Sequence, residues 1–147
     1  MAALLHDIGK KEIPKAVLNK TEQLTSKEFH LMQMHPVLGA KQLLTTPGVP
    51  PLAPIVAYEH HINSDGTGYP KVPKGWELNL ASRIVKIVDI FDALRTHRPY
   101  RKALPIHEII EIMQRKQSHG LDSELLNVFL DKIVPRHMSE PAEVIEA

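Results

Sequence analysis

The 147-residue chain has no cysteine, which excludes disulfide staples and thiolate metal sites and fits a reducing compartment. No run of about 18 apolar residues occurs, so no transmembrane helix is expected. Met1 lacks the basic lead and longer apolar stretch of a signal peptide. Together these absences set the expectation of a cytoplasmic protein. Net charge is nearly absent too: the formal value is +1, which argues against DNA or membrane binding driven by bulk charge. There is no strand-like alternation and no internal repeat. What is present is a 43% hydrophobic, 24% charged composition, enough for the core of one soluble domain. Nine histidines accompany it.

The pattern along the chain is helical. Met1 to Ile8 reads as the last two turns of a helix, with Gly9 as its stop. A stub this short is marginal alone, so upstream sequence is expected. Residues 10–24 read as loop, with one short helix near Lys15–Leu18. Thr25 and Glu28 form a capping box that opens a helix, and Pro36 starts another that runs to Leu44. Pro51 to about His61 is a helix with Leu52, Ile55 and Val56 inward. Residues 62–79 form a long loop rich in glycine and proline. Asn79 caps the strongest helix, Leu80 to about Arg95, with Leu80, Ile84, Ile87, Val88, Phe91 and Leu94 at helical period. Helices from Pro105 and from the cap Asp122 follow. The fold class expected is all-α, with residues 1–134 as the domain and 135–147 as a polar tail.

The chemistry lies in polar groups set among apolar ones. His6 and Asp7 close the run Ala2-Ala3-Leu4-Leu5. Burying both is costly unless something binds them, and a metal is the usual compensation. The plainer reading is a helix-end dipole contact beside a surface carboxylate. His35 stands where the chain turns before Pro36, and alone it reads as a partly exposed histidine. Adjacent His60 and His61 repel if both are charged, so a site holding both prefers them neutral, as ligands are. Glu59 precedes them and is placed to support them. Asp89 sits inside the most apolar helix and needs a cation or several donors, with Lys86 as the competing partner. His30, His97, His107, His119 and His137 look exposed and receive no role. The six groups offer only nitrogen and oxygen, a set that suits iron or manganese. The Asp65-Gly66-Thr67-Gly68-Tyr69-Pro70 loop is either a tight turn or a place where Tyr69 meets a ligand. Arg98, Arg101 and Lys102 form a basic loop, either solvated or turned to phosphate.

On three motifs the chain resembles the HD-GYP family, a branch of the HD phosphohydrolases. They are His6-Asp7-Ile8-Gly9-Lys10, then His60-His61 with Gly68-Tyr69-Pro70, then Val88-Asp89-Ile90-Phe91-Asp92-Ala93-Leu94 leading into Arg98-Pro99-Tyr100-Arg101. His35-Pro36 matches as well. The resemblance implies an HD-type helical bundle that hydrolyses cyclic di-GMP to linear pGpG or onward to GMP. It implies two divalent metal ions held by His6, Asp7, His35, His60, His61 and Asp89, with Asp7 bridging. It implies Lys10 beside the scissile phosphate, making Asp7 and Lys10 the catalytic pair, and Tyr69, Lys71, Arg98 and Arg101 as substrate contacts. A sensor or receiver domain upstream and a homodimer are the partners it suggests. The family carries a further upstream histidine that residue 1 starts too late to include, which leaves the His6–Asp7–Asp89 metal under-ligated. Ile62-Asn63-Ser64 replaces a more charged stretch. The alternatives are an impaired or non-catalytic binding module of the same fold, and an HD phosphohydrolase for another nucleotide.

Overall fold

In the computed structural model, residues 1–97, 102–117 and 120–138 are described. Those residues form helices and loops with no strand; a single isolated bridge joins Ile62 to Gly68. The helices are α1 (Ala2–Leu5), α2 (Lys15–Leu18), α3 (Ser26–Met32), α4 (His35–Thr45), α5 (Leu52–Glu59), α6 (Leu80–Arg95), α7 (Ile106–Gln117), α8 (Ser123–Val128) and α9 (Val134–Met138). A 3₁₀ turn, Ile8–Glu12, follows α1, and a π-helical turn, Phe129–Ile133, joins α8 to α9. Among the described residues no helix is long and apolar enough to cross a membrane.

Local chemistry sets the helix starts. The Thr25 hydroxyl accepts from the Glu28 amide, and the Glu28 carboxylate accepts from the Thr25 amide at 2.7 Å. Lys20 grips the same carboxylate at 2.7 Å. Asn79 and Asp122 cap α6 and α8 by accepting from the amides of Ala81 and Leu125. Two apolar clusters follow. Ile87, Phe91, Ile109, Met113, Leu121 and Leu126 join α6, α7 and α8, with Val134 of α9 beside them. Ala40, Leu43, Ala53 and Ala57 join α4 to α5.

Several expectations need correction. α1 ends at Leu5, and Gly9 is not a helix stop. Gly9 is buried against α4, where a Cβ would stand 2.0 Å from the His35 carbonyl oxygen and 2.5 Å from the Gly39 nitrogen. Only glycine lets the two backbones approach this closely. Val56 is buried as expected, but Leu52 and Ile55 face outward, and Ala53 and Ala57 take the inner positions. On α6 the inward side is Ser82, Val85, Ile87 and Phe91, while Leu80, Ile84 and Val88 are exposed. The helix is apolar on more than one side, so periodicity alone picked the wrong stripe for those three.

Candidate metal centre

Four elements converge on one cluster. Asp7 sits between α1 and the 3₁₀ turn, His35 opens α4, and His60 and His61 follow the end of α5. The Gly9–Gly39 contact presses the turn that carries Asp7 onto the start of α4. One ligand atom each from Asp7, His35, His60 and His61 lies within 4.8 Å of the others. Asp7 Oδ1 stands 3.2 Å from His35 Nε2 and 3.6 Å from His60 Nε2. His6 Nε2 lies 3.3 Å from Asp7 Oδ2 and 3.6 Å from Asp89 Oδ1, so Asp89 joins the cluster through His6. Asp89 is not paired with Lys86, whose ammonium turns instead to the Ile62 carbonyl.

The imidazoles are aimed by the backbone. His6 Nδ1 faces the Ala3 carbonyl at 2.5 Å, His35 Nδ1 that of Met32 at 2.7 Å, and His60 Nδ1 that of Ala57 at 2.9 Å. A carbonyl only accepts, so each Nδ1 carries a proton and each Nε2 is turned to the cluster. His35 Nε2 and His60 Nε2 then stand 3.2 Å apart with Asp7 Oδ1 beside them. Three acceptors facing one another repel unless a proton or a cation lies among them. His6 Nε2 and Asp7 Oδ1 are buried without a hydrogen-bond partner. Buried polar atoms left this way are rare in a folded protein, and a nitrogen–oxygen donor set of this kind fits a divalent cation.

Protonation states agree. Burial opposes charge on Asp7, but the surrounding imidazoles of His35, His6 and His60 and the Lys10 ammonium hold its carboxyl well below the usual range. Burial likewise opposes charge on Asp89, and His6 holds it low. His61 is pushed down to about 2, first by burial and then by His60 and His35. His60 is lowered by burial, with Asp7 opposing. Burial would lower His6 as well, yet the carboxylates of Asp7 and Asp89 raise it to about 10. An imidazolium therefore stands between two carboxylates, where a metal ion would displace its proton.

The remaining expected residues fare differently. Lys10 binds Asp7 Oδ2 directly. Tyr69 stacks on the His61 ring at 4.5 Å and 28°, and its hydroxyl is pushed up to about 12 by burial and by the charges of Asp7 and Asp89. Lys71 is exposed. Arg98 and Arg101 lie outside the described residues. Glu59 does not face the histidines: its buried carboxylate accepts from Trp76 Nε1 at 3.0 Å and from the Asn79 amide at 2.9 Å. It thereby fastens the long loop and the start of α6. The Gly9–Gly39 approach escaped the sequence, and so did Phe29, exposed and edge-on to Tyr69 at 6.3 Å.

A family profile described as HD domain matches residues 1–125, and the chain belongs to that family. It is similar to a cyclic di-GMP phosphodiesterase of Pseudomonas aeruginosa, 37% identical over 90% of this chain and 32% of the relative. A 3′3′-cGAMP-specific phosphodiesterase of Vibrio cholerae is 41% identical over 84% of this chain and 26% of the relative. A cyclic di-GMP phosphodiesterase response regulator of Xanthomonas campestris, RpfG, is 34% identical over 88% of this chain and 35% of the relative. The chain thus spans about a quarter to a third of the length of these curated relatives.

Proposed function

We propose that the domain is a metal-dependent phosphodiesterase of the HD-GYP branch, acting in the cytoplasm, that hydrolyses cyclic di-GMP to linear pGpG or GMP. The observation that carries the reading is the Asp7–His35–His60–His61 cluster, in which Asp7 Oδ1 is buried without a hydrogen-bond partner. Relatives named as cyclic di-GMP phosphodiesterases across most of this chain supply the substrate. The 41% identical cGAMP-specific relative favours 3′3′-cGAMP as the second reading.

Asp7, His35, His60 and His61 would hold one divalent cation, and His6, Asp7 and Asp89 a second, with iron or manganese suited to the donor set. Such a pair supplies positive charge for the phosphoryl oxygens and lowers the pKa of an attacking water. The protein does the rest. Backbone carbonyls lock the imidazoles with Nε2 inward. Lys10, half-exposed and one turn from Asp7, swings to the phosphoryl oxygens and stabilises the charge that develops there. Tyr69 backs His61 by stacking on its ring and would contact the dinucleotide beside it.

The test is incubation with Mn²⁺ or Fe²⁺ and either cyclic dinucleotide, with products separated by ion exchange. The expected result is linear dinucleotide or mononucleotide, lost in His60→Ala. Turnover by metal-free protein, or none with either cation, overturns the reading; dinucleotide bound without turnover would leave a binding module.

A further inference from the structure

Lys86 is half-buried on α6 and forms no ion pair among the described residues. Its ammonium donates to the Ile62 carbonyl at 2.9 Å and to the Asn63 side-chain oxygen. Ile62 directly follows His61 and is itself 1% exposed. Asn63 is a hub: its amide donates to the Thr67 carbonyl at 2.8 Å, its side-chain nitrogen to the Thr67 hydroxyl, and its side chain rests against Gly120. The same corner receives Tyr69, whose ring stacks on His61.

We infer that Lys86 is a positioning residue for the metal centre: by clasping the Ile62 carbonyl and Asn63, it fixes the non-helical corner that carries His61. A second polar tie among the described residues joins the end of α5 to the cap of α6, from the Asn79 amide to Glu59. That tie lies ten residues, or about 15 Å along the helix, from Asp89. Lys86 lies three residues, or about 4.5 Å, from Asp89. It therefore sets the His61 corner at the level of α6 where the centre sits, and Glu59 does not. Burying an ammonium that far costs stability unless its donors are used, and here two neutral acceptors take it. A leucine or methionine would fill the space without the clasp.

The inference rests on the metal-centre reading above, and its test is separable from catalysis. Co²⁺ is titrated into the unaltered chain, Lys86→Met, Lys86→Arg and His61→Ala, with affinity and visible absorption recorded and folding checked by thermal melts. Removing groups that orient ligands usually weakens metal binding by about 10–100-fold. The expected result is that loss in Lys86→Met, with its spectrum moved toward that of His61→Ala, and near-complete rescue by Lys86→Arg. Unchanged affinity and spectrum in folded Lys86→Met overturn the inference, even if its melting temperature falls, because a merely structural role moves only the melt. If Lys86→Met does not fold, Lys86→Arg and Asn63→Ala carry the comparison: the first must match the unaltered spectrum and the second depart from it. A chain that binds no Co²⁺ overturns inference and metal centre together. Normal Co²⁺ effects without dinucleotide hydrolysis leave the clasp standing and remove only the enzymatic reading.

Discussion

Replacing Gly9 with alanine tests how the centre is assembled. The new Cβ would stand 2.0 Å from the His35 carbonyl oxygen and 2.5 Å from the Gly39 nitrogen, both backbone atoms in α4. Cβ contacts below 3.0 Å essentially never occur, so the 3₁₀ turn and α4 must part by at least about 1 Å. Overpacking of this kind costs about 1–3 kcal/mol. For a chain of this size that lowers the melting temperature by about 2–12 °C. The second effect is the more telling. Asp7 and His35 ride on the two parting segments and now lie 3.2 Å apart. A ligand set tolerates about 0.5 Å of error, so a 1 Å separation weakens cation binding by an order of magnitude or more. Gly39→Ala is the internal standard: its Cβ would meet Gly9 at 3.0 Å and the Ile8 side chain at 3.3 Å, which a shift of a few tenths of an ångström relieves. Calorimetric Mn²⁺ titration and thermal melts should rank the chains unaltered, Gly39→Ala, Gly9→Ala. If Gly9→Ala binds Mn²⁺ as tightly as the unaltered chain, the close approach does not position the ligands.

Two further outcomes are expected. Burial pushes Lys86 from 10.5 down to about 8, so the unfolded chain holds that proton more tightly between those values, and stability gains a contribution as pH rises from about 8 to about 10.5. Lys86→Met should lack that gain, and identical pH slopes of melting temperature for the two chains would contradict it. Thr25→Ala removes the hydroxyl that accepts from Glu28 and should cost about 1 kcal/mol in chemical denaturation while leaving cation affinity intact. A loss of cation affinity in that variant would show that α3 contributes to the centre.

The sequence was most legible where a signal is local. The Thr25, Asn79 and Asp122 caps are read from two or three neighbouring residues, and each makes the expected bond. The adjacent pairs His6-Asp7 and His60-His61 were legible for a different reason: imidazoles and carboxylates side by side in apolar surroundings are costly without a shared partner. His35, which alone reads as partly exposed, is 1% exposed and entered the set only through the family resemblance. Orientation was less legible. α6 carries apolar residues on several sides, so Ile84 and Val88 fit the helical period as well as Val85 and Ile87 but face outward. Long-range contacts left no local mark. Gly9 meets Gly39, Glu59 meets Trp76 and Asn79, and Lys86 meets Asn63, each pair joined only by the folded path of the chain. Glu59 and Lys86 were both read toward their sequence neighbours, which for a charged helical residue is the nearest candidate but not the only reachable one.

The central claim is that Asp7, His35, His60 and His61 together bind a divalent cation, and stoichiometric Mn²⁺ titration of the purified chain tests it most directly. At least one tightly held ion per chain is expected, lost on His35→Ala or His60→Ala and kept on replacement of the exposed His30. Absence of stoichiometric binding, or binding undiminished in His35→Ala and His60→Ala, would contradict it.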